Sequence, residues 1–97
     1  MTYRLHPEAA LEHERQVAYY EEQGAGLGRR YHEATLRAIG KAVEAPRRFK
    51  VVRSPDIRKI SLHGFKFWVI YREVRDAVQV LAIAHHRRHP DYWVPRA

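Results

Sequence analysis

Residues 57–84, IRKISLHGFKFWVIYREVRDAVQVLAIA, decide the fold because they hold three successive strand-type runs separated by short turns. The first run alternates apolar and polar residues, which is typical of a strand with one buried face. The second, residues 65–72, is apolar on both faces in its middle, as expected of a central strand. The third, residues 77–84, is almost entirely apolar and follows a turn at Arg75-Asp76. The pattern predicts a three-stranded antiparallel meander.

Two helical patterns precede the meander. The first begins at Pro7, whose ring suits the first turn of a helix, and ends near Gly24. Its predicted inner stripe, at helical spacing, consists of Ala10, His13, Val17 and Tyr20. The second follows the Gly-rich stretch 24–28 and ends at Pro46. Two amphipathic helices joined by a short turn predict an antiparallel hairpin. Gly40 inside the second helix predicts close approach of a neighbouring element, since glycine is otherwise unfavourable there.

A short strand at residues 2–6 precedes the helices, and a basic loop, Arg47–Asp56, follows them. The predicted order is therefore strand-helix-helix-strand-strand-strand. This is an α+β fold in which a helix hairpin packs on a small antiparallel sheet, with the first strand added at an edge. The 97 residues are enough for one modest core, so we expect a single domain, residues 1–97.

Composition excludes several classes of function. The chain has no cysteine, which removes disulfides, thiolate zinc sites and a cysteine nucleophile, and which suits a reducing cytoplasm. Its start lacks the apolar region of a secretion signal, and no run approaches the roughly 18 apolar residues of a membrane span. We therefore expect a cytoplasmic protein with no membrane association.

Positive charge is concentrated in the second half of the chain. Residues 1–45 have six Lys/Arg and seven Asp/Glu, whereas residues 46–97 have twelve and four, for a formal net charge of +7. This asymmetry favours binding to a nucleic acid, an acidic protein surface or an acidic partner chain. The alternative is that the basic residues only solvate one face of the sheet.

The stretch 84–93, AHHRRHPDYW, concentrates histidines, arginines and aromatics directly after the last strand. If the strand continues, His85 and Arg87 project to one side and His86 and Arg88 to the other, so only part of the cluster can line any one cleft. The final Tyr92-Trp93 pair either stacks on bases or packs the terminal segment onto the sheet, and packing is the preferred interpretation. A zinc site at His85 and His89 would need further ligands, and no third ligand is evident.

Motifs along nearly the whole chain together resemble those of the RelE/ParE superfamily of bacterial type II toxin–antitoxin toxins. They are 6–9 (HPEA), 19–23 (YYEEQ), 26–28 (GLG), 46–49 (PRRF), 67–72 (FWVIYR) and 82–93 (AIAHHRRHPDYW). Each is short, and their order and spacing carry the resemblance. It implies a growth-inhibiting toxin neutralised by a cognate antitoxin, and it agrees with the fold expected from periodicity.

The resemblance covers two chemistries. RelE-like members are ribosome-dependent mRNA endonucleases. An enzyme of this kind needs a base, an acid and cations that stabilise the negative charge of the developing phosphorane. The candidates for those roles are Lys50, Lys66, His85, His86, Arg87, Arg88 and Tyr92. ParE-like members inhibit DNA gyrase without catalysis, and the residues proposed for target contact are Arg58, Lys59, Arg87 and Arg88. RelE-like enzymes typically have an arginine within the strand that corresponds to residues 65–72, where this chain has Phe67-Trp68-Val69.

We therefore prefer the hypothesis of a gyrase-directed toxin and keep the mRNA endonuclease as the alternative. A non-toxic basic interaction module of the same fold is the third hypothesis. The resemblance implies an antitoxin whose acidic, amphipathic segment covers the helix hairpin or the sheet, by helix-in-groove docking or strand addition. A higher-order toxin–antitoxin complex is compatible with it. No cofactor or metal is predicted, because the sequence has neither a Gly-rich phosphate loop after a strand nor a metal-ligand constellation.

Overall fold

The computed structural model describes residues 2–97. Two long helices follow a short first strand, and four further strands and a single 3-10 turn complete the chain. The elements are β1 (Thr2–Leu5), α1 (Pro7–Gln23), α2 (Leu27–Glu44), β2 (Val51–Arg53), β3 (Ile57–Ser61), β4 (Phe67–Val74), β5 (Ala77–His85) and the 3-10 turn (Val94–Arg96). The α+β class and the predicted order of helices and meander strands are confirmed.

The strands form one five-stranded sheet in the order β1-β5-β4-β3-β2. The strands from β2 to β5 pair antiparallel, and β4 lies at the centre of the meander as predicted. β1 lies at an edge, also as predicted, but it pairs parallel to β5, so the sheet is mixed rather than purely antiparallel. The parallel pairing follows from the helix hairpin, which returns the chain to the same end of the sheet before the meander begins.

Helix ends and the turn between the helices are fixed by local contacts. The His6 ring accepts a hydrogen bond from the Glu8 backbone amide at 3.1 Å, which caps α1. Near the other end of α1, the Glu21 carboxylate accepts the amides of Gly26 and Gly28 at 3.0 and 3.1 Å. Those amides belong to the start of α2, where unpaired N–H groups and the helix dipole favour a negative charge.

Of these two glycines, Gly28 and not Gly40 lies at a close contact between the helices. A β-carbon added at Gly28 would lie 2.5 Å from the Val17 carbonyl oxygen, whereas one added at Gly40 would meet nothing within 4 Å. The prediction that Gly40 marks a close approach is therefore wrong. Gly28 lies at the crossing of α1 and α2, and Gly40 lies on the exposed side of α2.

The sheet has a core on each face. Toward the helices, Tyr31 and the small residues of α2 pack on β4 and β5, with Val69 and Val80 fully buried. In α1 the buried residue is Ala9, while the predicted Ala10 is exposed. Val17 and Tyr20 of the predicted stripe pack against this core, as predicted. The opposite face has a smaller cluster around Ile70, and it is completed by the terminal segment. Its buried members are Ile57, Ile70, Leu81, Ala82, Ala84 and Trp93.

Two segments differ from expectation. The stretch expected to be a basic loop, Arg47–Asp56, contains β2, an exposed three-residue strand that pairs with β3 through an irregular register. Its exposure on both faces gives no apolar alternation to recognise. In β5, Ala82 pairs with Ile70 and Val80 with the next residue, so Leu81 is an extra residue in a β-bulge. No helix within residues 2–97 is long and apolar enough to cross a membrane.

Candidate interaction surfaces

The histidine- and arginine-rich stretch forms a turn rather than a continuing strand. β5 ends at His85, whose carbonyl oxygen accepts the Arg88 amide at 3.0 Å and whose ring Nδ1 accepts the Arg87 amide at 3.0 Å. The predicted alternation of this cluster across a strand is therefore wrong, because these two hydrogen bonds reverse the chain. Burial, and after it the charge of Arg87, lowers the pKa of His85, so the ring favours its neutral form.

Three of the candidate side chains, Lys59, His86 and Arg88, lie against aromatic rings within the protein. The Lys59 ammonium lies 3.9 Å from the centroid of the Trp68 ring, and the His86 ring lies 4.3 Å from the same ring. The Arg88 guanidinium lies 3.8 Å from the centroid of the Tyr92 ring. Cations over aromatic faces gain electrostatic attraction from the ring. These stacking contacts hold the side chains in place against the sheet.

The terminal aromatics pack as predicted. Trp93 is 3% exposed and belongs to the core on the outer face of the sheet. The Tyr92 hydroxyl donates to the Glu12 carboxylate at 3.3 Å. Burial, and after it the Glu12 charge, raises the pKa of Tyr92 to about 12. A phenol held protonated in this way is a poor base for proton transfer near neutral pH.

A concave surface near the turn lies between α1 and β5, and we call it the edge groove. It has a volume of about 520 Å³. Its aromatic and apolar lining consists of Tyr19, Tyr20, Phe67 and Ile83, and its polar and charged lining of Glu12, Arg15, Gln16, His85 and Arg88. Tyr19 is half exposed, and Leu11 extends the exposed apolar side of α1 beyond the groove.

Backbone groups along the edge groove have no neighbouring strand. The Phe67 carbonyl accepts the Leu62 amide at 3.1 Å, so the backbone of Phe67 faces β3 and its partner His85 faces away from β4. The backbone groups of Ile83, two residues earlier, also face away from β4. Since β1 ends at Leu5, opposite Val80, no strand within residues 2–97 covers this part of the β5 edge. An open edge of this kind can accept another strand.

A second concave surface, the lysine cavity, lies over β3 and the start of β4, beside the end of α2. It has a volume of about 550 Å³ and brings together Lys41 of α2, Lys50 and Lys59, with Phe49 and Trp68 in its wall. A smaller pocket of about 200 Å³ lies between the terminal turn and the outer face of the sheet, and it contains Lys59, His86 and Arg88.

The structure divides the endonuclease candidates: His85, His86 and Arg88 share the small pocket, and the other candidates do not line it. Lys50 lies in the lysine cavity, His85 and Arg88 border the other two surfaces, and Lys66 lines none of the three. Arg58, a candidate for target contact, donates to the Phe49 carbonyl at 2.8 Å and so supports the loop before β2. Among residues 2–97 no group of three or more histidine, cysteine or carboxylate side chains could hold a metal ion.

Sequence reasoning missed several residues of these surfaces. Arg15 and Tyr19 line the edge groove from α1, and Lys41 lines the lysine cavity from α2. The exposed position of Tyr19 beside the inner stripe of α1 was a readable signal. The sequence contains no such signal for Lys41, because its proximity to Lys50 and Lys59 depends on how the end of α2 packs against the sheet.

This fold, a helix hairpin on a mixed sheet with a basic terminal turn, agrees with the fold expected for the RelE/ParE superfamily. The chain is similar to a solved structure described as the chromosomal ParDE TA system from P. aeruginosa, with a TM-score of 0.61 and 18% sequence identity, over 88% of this chain and 95% of that one. That likeness supports the fold. The family model described as the ParE toxin of type II toxin-antitoxin system, parDE, matches residues 3–90, and the chain therefore belongs to this family. No curated protein matches it.

Proposed function

We propose that this protein is a growth-inhibiting cytoplasmic toxin that acts on DNA gyrase by binding, without catalysis, and that a cognate antitoxin neutralises it. Membership of the ParE toxin family supports the toxin assignment. The observation that carries the non-catalytic mode of action is the division of the endonuclease candidates: His85, His86 and Arg88 share the small pocket, whereas Lys50 lies in the lysine cavity and Lys66 lines neither. An endonuclease must place its base, its acid and its cations within reach of one phosphodiester.

The contacts of the individual candidates point the same way. The Tyr92 hydroxyl is bonded to Glu12, and its raised pKa keeps the phenol protonated. His86 is stacked on Trp68, and Nδ1 of His85 is occupied by the Arg87 amide. The side chains that could act as acid or base are therefore engaged in holding the terminal turn. Surfaces built from such fixed cations suit recognition of an acidic protein surface.

A direct test of the target uses purified protein in a gyrase supercoiling assay. The expected result is loss of supercoiling as the protein approaches saturation of gyrase, together with no new codon-linked 5′ ends in translated mRNA by primer extension after expression. Unchanged supercoiling at a saturating ratio would refute the gyrase target. New codon-linked ends would instead support the mRNA endonuclease, and expression without any growth defect would support the non-toxic module.

We propose the edge groove as the antitoxin surface. It combines an uncovered strand edge, exposed Tyr19 and the positive charges of Arg15 and Arg88, which together suit an acidic segment added beside β5. The paired carboxylate of Glu12 does not oppose such a segment, since Arg96 already neutralises it. An antitoxin bound here would cover both the apolar side of α1 and the open backbone groups of β5.

The antitoxin proposal is tested by co-expression with the adjacent reading frame. Growth should be restored and a complex should co-purify. Tyr19→Asp should weaken that complex at least tenfold, because it places a negative charge where an acidic segment docks. Leu36→Asp is the matched control, since Leu36 is a comparably exposed apolar residue on α2 outside the groove. Equal weakening by both substitutions would exclude the edge groove as the docking surface.

A further inference from the structure

The lysine cavity is a cationic site whose lining has no acidic side chain to compensate its charge. Lys41, Lys50 and Lys59 converge on it from α2, the loop before β2, and β3, and no acidic side chain lines it. Within the described chain, residues 2–97, none of the three lysines takes part in an ion pair. The carboxylates of this protein that do form ion pairs are bonded to arginines elsewhere. The positive charge of the cavity is therefore available to an anion from outside.

The backbone at the cavity argues against an added strand as the ligand. The Lys59 amide donates to the Lys50 carbonyl at 3.1 Å, so that part of the β3 edge is already occupied. Ile60 faces β4, and Ser61 is the last residue of β3. At most one residue of this edge is open, which is too short for a ladder of main-chain hydrogen bonds. Recognition must rest on the side chains, namely lysine charge and the surfaces of Phe49 and Trp68.

We propose that the lysine cavity binds the phosphodiester backbone of a nucleic acid. Three separate ammonium groups around an open concave surface suit successive phosphates, since lysine binds phosphate as a point charge and needs no fixed planar geometry. Phe49 and Trp68 supply apolar surface against sugars or bases between the charges. The contact is separate from the proposed antitoxin surface, because the lysine cavity and the edge groove share no lining residue.

Fluorescence anisotropy with labelled oligonucleotides tests this proposal without any other protein. Duplex DNA, single-stranded DNA and single-stranded RNA of one sequence are titrated with the toxin at several salt concentrations. Each phosphate contact adds about 0.9 to the slope of log affinity against log salt for duplex DNA and about 0.7 for single strands. The K41Q/K50Q/K59Q variant should lower that slope by about 2 to 3. The oligonucleotide that binds most tightly shows whether the site takes duplex DNA, single-stranded DNA or single-stranded RNA.

The matched control removes the same charge from elsewhere. R4Q/R30Q/R37Q replaces three exposed arginines of β1 and α2 that do not line the cavity, and it should keep the parental slope. K41Q/K50Q leaves Lys59 stacked on Trp68, so it should lower the slope by about 1.4 to 1.8 even if the triple variant is unstable. Equal losses in the two triple variants, or no binding at low salt, would overturn the proposal. Binding of a labelled polyglutamate peptide with the same dependence on the three lysines would overturn it in favour of an acidic protein ligand.

Discussion

Arg96 and Glu12 join the end of the chain to the first helix through two parallel hydrogen bonds. Arg96 Nη1 and Nη2 lie 2.8 Å from Glu12 Oε1 and Oε2, and Nη1 also donates to the Leu81 carbonyl at 3.1 Å. That carbonyl belongs to the β-bulge, where strand pairing is locally disrupted. One guanidinium therefore connects α1, the bulge and the terminal 3-10 turn, and it fixes the terminal segment beside the open part of β5.

Arg96→Ala should destabilise the protein by about 2–3 kcal/mol, since it leaves the Glu12 carboxylate with only the Tyr92 hydroxyl as a donor and removes the donor to the Leu81 carbonyl. The side chains of Arg96 and Glu12 are 10% and 21% exposed, so water compensates poorly. Urea denaturation gives the free energy of unfolding. Arg29→Ala breaks an ion pair with Glu33 whose side chains are 82% and 49% exposed, and it should cost less than about 0.5 kcal/mol. Equal effects of the two substitutions would contradict this role for Arg96.

Gly28→Ala and Gly40→Ala should change stability in opposite directions. At Gly28 the new methyl group collides with the Val17 carbonyl, and separating the helices should cost about 1–3 kcal/mol. At Gly40 the space is open and the helix is exposed, so alanine should stabilise by about 0.5–1 kcal/mol. Thermal unfolding of the two variants checks both signs. Destabilisation by Gly40→Ala would show that the helix packs more closely there than the structure indicates.

The sequence predicted those parts of the fold in which local chemistry and packing agree. The helix hairpin was readable because Pro7, Gly24 and Pro46 bound two amphipathic stretches. The meander was readable because its runs differ in apolar periodicity. β2 could not be predicted, since it is exposed on both faces and its pairing with β3 depends on how the loop after α2 packs. The bulge at Leu81 was hidden for the opposite reason, because both faces of β5 are buried and an extra apolar residue leaves the pattern unchanged.

The candidate surfaces were predictable only in composition. The sequence indicated that the second half is basic, and it identified Lys50, Lys59 and Arg88. It could not indicate that the chain reverses after His85, because that turn depends on hydrogen bonds to the His85 ring and carbonyl and has no glycine or proline before Pro90. Nor could it assign the basic residues to different cavities, since that division follows from the packing of helices and sheet.

Stability should fall as the pH drops below about 6.5, in part through His13. Its Nε2 lies 2.8 Å from Nδ1 of His32, its ring stacks on Tyr31, and its own Nδ1 is buried. Burial, and after it the charge of His32, lowers the pKa of His13 in the folded state. Below the pKa that His13 has in the unfolded chain, the unfolded state therefore binds more protons than the folded state. The fold loses stability as the pH falls through that range.

Urea denaturation at several pH values between about 5 and 8 measures this dependence. His13→Gln should flatten it, because the substitution removes the group with the lowered pKa. The flattening should be partial, since burial also lowers the pKa of His85, which acts in the same direction. An identical pH dependence in the variant and the parent would show that His13 does not contribute.

Removing His85 and His86 should leave the proposed growth inhibition intact. In His85→Asn the side-chain oxygen can replace Nδ1 as acceptor of the Arg87 amide, so the turn is retained while acid–base chemistry is lost. His86→Asn removes the second imidazole and its stacking on Trp68, but the His86 amide still donates to the Lys66 carbonyl. If either imidazole transfers a proton during RNA cleavage, toxicity should fall by about 10²–10⁴ in rate. A binding toxin should instead retain its inhibition of growth and of gyrase within a few fold, which titrated expression and the supercoiling assay would measure on the same double variant.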